Sequence, residues 1–581
     1  MSPLEGPAGR TDAVAPAARA LLWLVALLPI LLCLPPHDLW APEEPRFGRV
    51  AHEMATEGDW LVTRLNGLPD AEKPPLLFWM MAAAEQVAGG PSPLPMRLPG
   101  ALLACLATFA TASLARRWFR DRALADTAGI LFGTTLLAVW NAPRAGMDLG
   151  LAAFSAIALE GASAAIAFGS SWGVVRLGLG IGLGFLLKGP HALLVPLCGA
   201  IGGAYLARRR SPDEPALIRK GATLRVLAGT VLGLAIFGAW LLPALAWRGD
   251  EMTALKVTFR ERLVGQLGRR VTGTKEPHLH GPFFLLFVLP LAALPWTPFA
   301  AVGAWIAARR ERVAREDLFG LGAALGAIVL PLLLLSIPAS KRETYLIPLL
   351  PAAAVLAAYV LHRAPEGRVV RAGVRSLIGG LAVLGAIALL VPVFARSLGP
   401  RLYKTDPFDA VTSEVFTRGP IVIACVAVGL ASLAAAWFVA RARAEPLRAA
   451  RRTALSIVVL AVGGAFAFLP TFDPTASFAD AVVVARRDAP GAAFHVAGTS
   501  DPSSLWAFGF HRTGYIDDHA TLASTLAPDA PRALVLAKGN FWTRRAALAK
   551  AEDLPRINRA RVLWERRVGA ATWHLLTNAP P

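Results

Sequence analysis

The chain has 581 residues, 55% of them hydrophobic and only 17% charged, with a mean hydropathy of +0.50. That balance excludes an ordinary soluble domain: apolar runs of roughly 17–25 residues separated by Arg-rich connectors mark a polytopic helical membrane protein. The net charge of +19 is mostly Arg beside those runs, which points to topology and anionic lipid rather than to nucleic acid.

A first apolar run, about Arg19 to Pro35, follows a modest basic flank without an A-x-A cleavage site and reads as an uncleaved signal anchor. The polar stretch Trp40 to Trp79 comes next, carrying Glu43, Glu44, Arg46, Asp59, Asp70, Glu72 and Lys73. Five basic clusters then set the orientation: Arg116 to Arg122, Arg208 to Lys220, Arg309 to Arg315, Arg363 to Arg375, and Arg441 to Arg452. The positive-inside rule puts all five in the cytoplasm, and alternation between them gives about thirteen spans. Loop 36–93 then lies outside, span 123–141 leads back out, and Lys188-Gly189-Pro190 is an outer turn between spans 176–188 and 190–207. Pro290, Pro295 and Pro298 interrupt span 282–307, so a kink or re-entrant piece is expected there.

Gly178, Gly180, Gly182 and Gly184 lie within a span and predict close helix packing, not a nucleotide loop. Cys33, Cys105, Cys198 and Cys425 sit inside apolar runs and read as small core residues. Residues 1–470 form the membrane domain. Residues 471–581 form a small outer α/β domain, with strands at Phe494–Ala497, Ala533–Leu536 and Thr572–Leu576 and a helical stretch at Thr543–Ala551.

The outer loops hold Arg46, Lys73, Arg97, Arg144, Lys188, Arg260, Arg262, Arg269, Arg270, Lys341 and Arg342, together with His278, His280 and Tyr345. Cations retained there against the positive-inside bias point to an anionic ligand near the lipid boundary. No internal repeat is evident and the polar groups gather on one face, which favours interfacial chemistry over a transporter or lipid flippase.

Ala41-Pro42-Glu43-Glu44-Pro45-Arg46-Phe47, then Gly58-Asp59-Trp60, Arg64-Leu65-Asn66-Gly67 and Glu72-Lys73-Pro74-Pro75, resemble the first outer loop of the bacterial aminoarabinose transferases. These are relatives of the protein O-mannosyltransferases within the GT-C membrane glycosyltransferases. Arg97-Leu98-Pro99, Met147-Asp148, Leu187-Lys188-Gly189-Pro190, Leu294-Pro295-Trp296-Thr297 and Ser340-Lys341 with Tyr345 continue the match over about residues 20–360. The resemblance implies an all-α polytopic GT-C fold. It also implies inverting transfer of a sugar from a polyprenyl phosphate to a lipid A-like or other envelope acceptor, or alternatively to a protein hydroxyl, outside the cytoplasmic (inner) membrane.

A phosphate leaving group is aided by cations. The candidates to bind it are Arg46, Lys73, Lys188, Arg260 or Arg262, and Lys341, with Tyr345 beside them. The resemblance gives Glu72 and Asp148 to a divalent metal cation of unspecified identity. Glu43 stands where the family has Asp and is the candidate catalytic carboxylate, with Glu44 the alternative.

Overall fold

The computed structural model describes residues 15–40, 43–70, 72–208, 218–246, 279–309, 313–397, 416, 418–498, 514–568 and 571–579. Apolar runs close into helices because lipid offers their backbone groups no other partner. In chain order they are α1 (Ala15–Cys33), α2 (Glu43–Glu57), α3 (Leu76–Ala88), α4 (Pro93–Phe119), α5 (Arg122–Gly133), α6 (Leu136–Asn141), α7 (Asp148–Ala167), α8 (Ser171–Lys188) and α9 (Leu194–Arg208). Then come α10 (Ala222–Ala246), α11 (Phe284–Ala292), α12 (Thr297–Arg309), α13 (Leu318–Ser336), α14 (Leu350–Arg363), α15 (Arg368–Ser397), α16 (Gly419–Ala440) and α17 (Pro446–Ala476).

Ten stretches among the described residues are long and apolar enough to cross a membrane, or eleven if the bent pair α11–α12 is one span. The protein is a helical multi-pass membrane protein. The expected set of about thirteen spans differs from these at two places besides the bent pair. Expected span 123–141 is two short helices, α5 and α6, and the two spans on either side of Gly189 run together as one stretch, Ser171–Arg208, through a 3-10 turn at Gly189–Leu193.

The α5–α6 break has a local cause. Thr134 turns its hydroxyl back onto the Ile130 carbonyl at 2.7 Å, and Trp296 Nε1 donates to the same hydroxyl at 3.1 Å. The Leu136 N–H freed by the break donates to the Leu294 carbonyl at 2.7 Å. The partner is the corner between α11 and α12, which turns through 115° at the expected prolines. Two interrupted helices thus satisfy each other's backbone inside the bundle.

The glycines of α8 do pack closely. A methyl at Gly180 would stand 2.7 Å from the Ala158 nitrogen on α7, and methyls at Gly178 and Gly182 would strike Leu232 and Ile236 on α10 at 2.6 and 2.7 Å. One helix therefore presents small residues to both neighbours.

The C-terminal sheet has the order β4-β3-β5-β7-β6, built from β3 (Ala493–Ala497), β4 (Gly514–Ile516), β5 (Ala533–Lys538), β6 (Arg561–Val568) and β7 (Ala571–Thr577). β3 runs parallel to β4 and β5, and β7 is antiparallel to β5 and β6. All three expected strands are present. Of the expected helix Thr543–Ala551, only Arg545–Leu548 forms a helix of its own, directly after a short helix at Gly539–Thr543. In the first polar loop, the hairpin β1 (Arg64–Leu65) and β2 (Leu68–Pro69) carries Leu65, which packs against both the membrane core and the sheet domain.

Candidate active site at the loop end of the bundle

Glu43 and Glu44 open α2, where two carboxylates suit the exposed N–H groups of a first turn. Successive residues on a helix point about 100° apart, and the two have different fates.

Glu44 is 6% exposed, and Arg97 of α4 grips it through Nε and Nη2 at 3.0 and 2.9 Å. The backbone N–H groups of Trp40 and Ala145 donate to it at 2.9 and 2.8 Å. Burial pushes its pKa up, but the Arg97 charge and these hydrogen bonds outweigh burial and hold the carboxyl below its usual value. Arg97 also donates to the carbonyls of His37 and Asp38, at 2.9 and 2.5 Å. Glu44 and Arg97 thereby tie the α1–α2 linker, α4 and the α6–α7 loop into one block.

Glu43 projects outward, its side chain about half exposed at 49%, and pairs with Arg342 from the segment after α13. Burial alone would lower the Arg342 pKa, but Glu43 beside it, with Glu343 and Asp148 further off, raises it. Arg144, over the ring of Trp140 at 4.8 Å, is lowered by burial against the pull of Glu44, Glu343 and Glu43. Glu43, Arg342, Arg144 and Asp148 therefore share one electrostatic neighbourhood.

Asp148, the first residue of α7, pairs with Lys188, the last of α8. Lys188 Nζ also lies 5.5 Å from the centre of the Tyr345 ring, and the His191 ring is tilted against Tyr345 with 5.5 Å between ring centres. Beside this pair is a void of about 10 Å³, room for about one water, lined also by Leu151, Leu194, Val195, Pro331 and Leu335.

One turn beyond Glu43, Arg46 pairs with Asp70 at 2.8 Å and with Glu72, and Lys73 lies 3.5 Å from Glu72. Burial would lower Arg46, but Asp70 and Glu72 raise it. Lys341 is 1% exposed and donates to the carbonyls of Gly281 and Ser336 at 3.2 and 2.8 Å, and burial pulls its pKa down. It braces the chain after α13 rather than facing an open pocket. His280 stacks on Phe284 at 3.8 Å. Arg260, Arg262, Arg269, Arg270 and His278 lie outside the described residues.

Glu72 and Asp148 do not make a metal-holding set as they stand. Arg46 and Lys73 engage Glu72, and Lys188 engages Asp148. Among the described residues no three His, Cys, Asp or Glu side chains converge, and two carboxylates each already facing a cation suit a divalent ion poorly.

Two motifs of the first loop turn out to be structural. Asn66 and Gly67 have φ of 55° and 76°, the pair of positive values a two-residue hairpin needs, and their N–H groups donate to Glu53 at 2.8 and 3.0 Å. Asp59 accepts from Leu61 and Val62 at 3.2 and 3.0 Å and from Arg64 at 3.0 Å. Nothing in the sequence pairs Arg342 with Glu43. The one signal for His191 was its place directly after Lys188-Gly189-Pro190.

Residues 72–241 match the family model described as dolichyl-phosphate-mannose-protein mannosyltransferase. The undecaprenyl phosphate-alpha-4-amino-4-deoxy-L-arabinose arabinosyl transferase of Pseudomonas aeruginosa (strain UCBPP-PA14) is 30% identical over 429 residues, covering 72% of this chain and 71% of that one. Its namesake from Enterobacter sp. (strain 638) is 28% identical over 370 residues, 62% of this chain and 63% of that one. Among solved structures, ArnT from Cupriavidus metallidurans bound to undecaprenyl phosphate superposes with a TM-score of 0.73 at 18% identity, covering 99% of each chain. The apo form of that protein gives 0.71 at 17% identity, covering 98% of this chain and 97% of that one.

Proposed function

The chain belongs to the aminoarabinose transferase family of membrane glycosyltransferases, and on that premise we propose how its loop-end residues carry out the reaction. The enzyme takes a glycosyl group from a polyprenyl phosphate and works in the cytoplasmic membrane. The acceptor is a lipid A-like or other envelope molecule, reached on the outer face, the orientation that the positive-inside rule supports.

The carrying observation is the Asp148–Lys188 pair, with Glu43 and Arg342 within electrostatic reach. The donor's phosphate meets Lys188, which exchanges Asp148 for the phosphate. Arg46 and Lys73 flank the incoming charge. The acceptor oxygen attacks the anomeric carbon from the side opposite the phosphate. The bond from that carbon to the phosphate oxygen breaks, its electron pair passes to the phosphate, and the acceptor proton goes to Glu43. Attack from the opposite face inverts the configuration. Cations that meet the phosphate as charge develops lower the barrier more than they bind the resting donor.

Glu43→Ala and Lys188→Ala are expected to abolish transfer from a polyprenyl-phosphate sugar in isolated membranes while the protein stays inserted. Wild-type rates in both would overturn these assignments. Because cations already engage Glu72 and Asp148, transfer is expected to persist in excess EDTA, and loss restored by a divalent ion would return those carboxylates to a metal role.

A further inference from the structure

The opposite end of the bundle holds a second polar site that the reaction does not use. Between the end of α4, the second half of α7 and the start of α8 is a pocket of about 430 Å³, whose charged lining is Arg116, Arg117, Arg120, Arg176 and Glu160. Glu160 is 5% exposed and accepts from Arg176 at 2.6 Å, Ser113 at 3.0 Å and Arg117 at 3.3 Å. A carboxylate buried in a span needs such pairing. Here it fixes two guanidinium groups from different helices at the pocket wall.

Arg116 and Arg120 have no carboxylate partner among the described residues, so four guanidinium groups face a single acid. Arg120 caps α4 with φ of 53°, a left-handed conformation where glycine would sit without strain, and its guanidinium lies 5.6 Å from the centre of the Phe168 ring. Arg116, Arg117, Arg120 and Arg176 line one open concavity of ligand size, where an anion relieves their mutual repulsion.

We propose that this pocket binds a phosphate-bearing anion, held by bidentate guanidinium contacts. In the orientation proposed above it faces the cytoplasm. Two sources share that chemistry: the headgroup of an anionic phospholipid, since the pocket opens at the ends of spans, and a soluble phosphate compound.

The test uses the full-length protein purified in neutral detergent and compares the wild type with Arg116→Gln/Arg120→Gln. Melting temperature is followed at constant ionic strength against cardiolipin in mixed micelles, phosphatidylcholine in mixed micelles, and inorganic pyrophosphate. The wild type is expected to be stabilised by cardiolipin or by pyrophosphate but not by phosphatidylcholine, and the variant to need on the order of tenfold more ligand for the same shift. Stabilisation by cardiolipin alone identifies a lipid headgroup, and by pyrophosphate a soluble phosphate; either supports the site. No shift with either probe, or equal shifts in wild type and variant, overturns it. Transfer activity is the folding control and is expected to be unchanged. If the double variant is not recovered, Arg120→Gln alone carries the same comparison.

Discussion

Two adjacent glutamates divide structure from chemistry. Glu44 spends its carboxylate on Arg97 and two backbone N–H groups, whereas Glu43 has one pairing, to a cation that another loop supplies. Substituting Glu44 with Gln leaves the Arg97 charge buried and unbalanced, so Glu44→Gln is expected to destabilise the fold by about 3–5 kcal/mol. Glu43→Gln is expected to leave the melting temperature near wild type and to reduce the transfer rate by about 10²–10⁴. Thermal unfolding and a transfer assay on the two purified variants separate these outcomes. From sequence alone the pair could not be resolved, because one helical position of offset decides which side chain meets Arg97.

The same block sets an acid limit. His37 is 6% exposed, and burial, helped by the nearby Arg97 charge, pushes its pKa down to about 4. As pH falls from roughly 6.5, the unfolded chain takes up a proton that folded His37 refuses, so stability declines until about pH 4. Glu44 acts lower. Its depressed pKa gives stability that is complete above the ordinary carboxyl range near 4.3 and is lost as pH falls through the folded value. His37→Gln is expected to flatten the upper limb of a melting-temperature profile and leave the lower one.

Among the elements, α8 leaves little room for added volume. Gly180→Val would drive atoms into the α7 backbone, 2.7 Å from the Ala158 nitrogen, and is expected to cost about 3 kcal/mol or more. Gly463 on α17 has nothing within 4 Å of an added methyl, and Gly463→Ala is expected to be neutral or to stabilise by up to about 1 kcal/mol. Denaturation of both in one detergent checks the contrast. The glycine spacing, the prolines at the α11–α12 corner and three of the five strands could be read from sequence because each follows a local rule. The α5–α6 break could not. The partners that accommodate it, Trp296 on the Thr134 hydroxyl and the Leu294 carbonyl on the Leu136 N–H, come from α11–α12, far along the chain. Strand Arg561–Val568 was hidden by its charge, since Arg and Glu dominate its sequence.

For the whole molecule, the motifs and the positive-inside rule gathered the right loops at one end, because topology follows from charge and hydropathy. Pairings within that end were not accessible in the same way. Arg46 with Asp70, Lys188 with Asp148 and Arg342 with Glu43 depend on the packing that brings α2, α7, α8 and the segment after α13 together. Asp70 and Asp59 looked like equals of Glu72 in composition, yet Asp59 only stitches the hairpin, and the R-L-N-G motif is a turn whose donors rest on Glu53.

The Glu43–Arg342 pair joins residues 299 positions apart. At synthesis rates of roughly 5–20 residues per second, the first loop waits about 15–60 s before its cation emerges from the ribosome. Until then the nascent chain holds a carboxylate without the counter-charge that completes its surroundings. A protein stalled or truncated before that segment is therefore inserted but inert, and the donor lipid meets a working centre only once most of the bundle has been made.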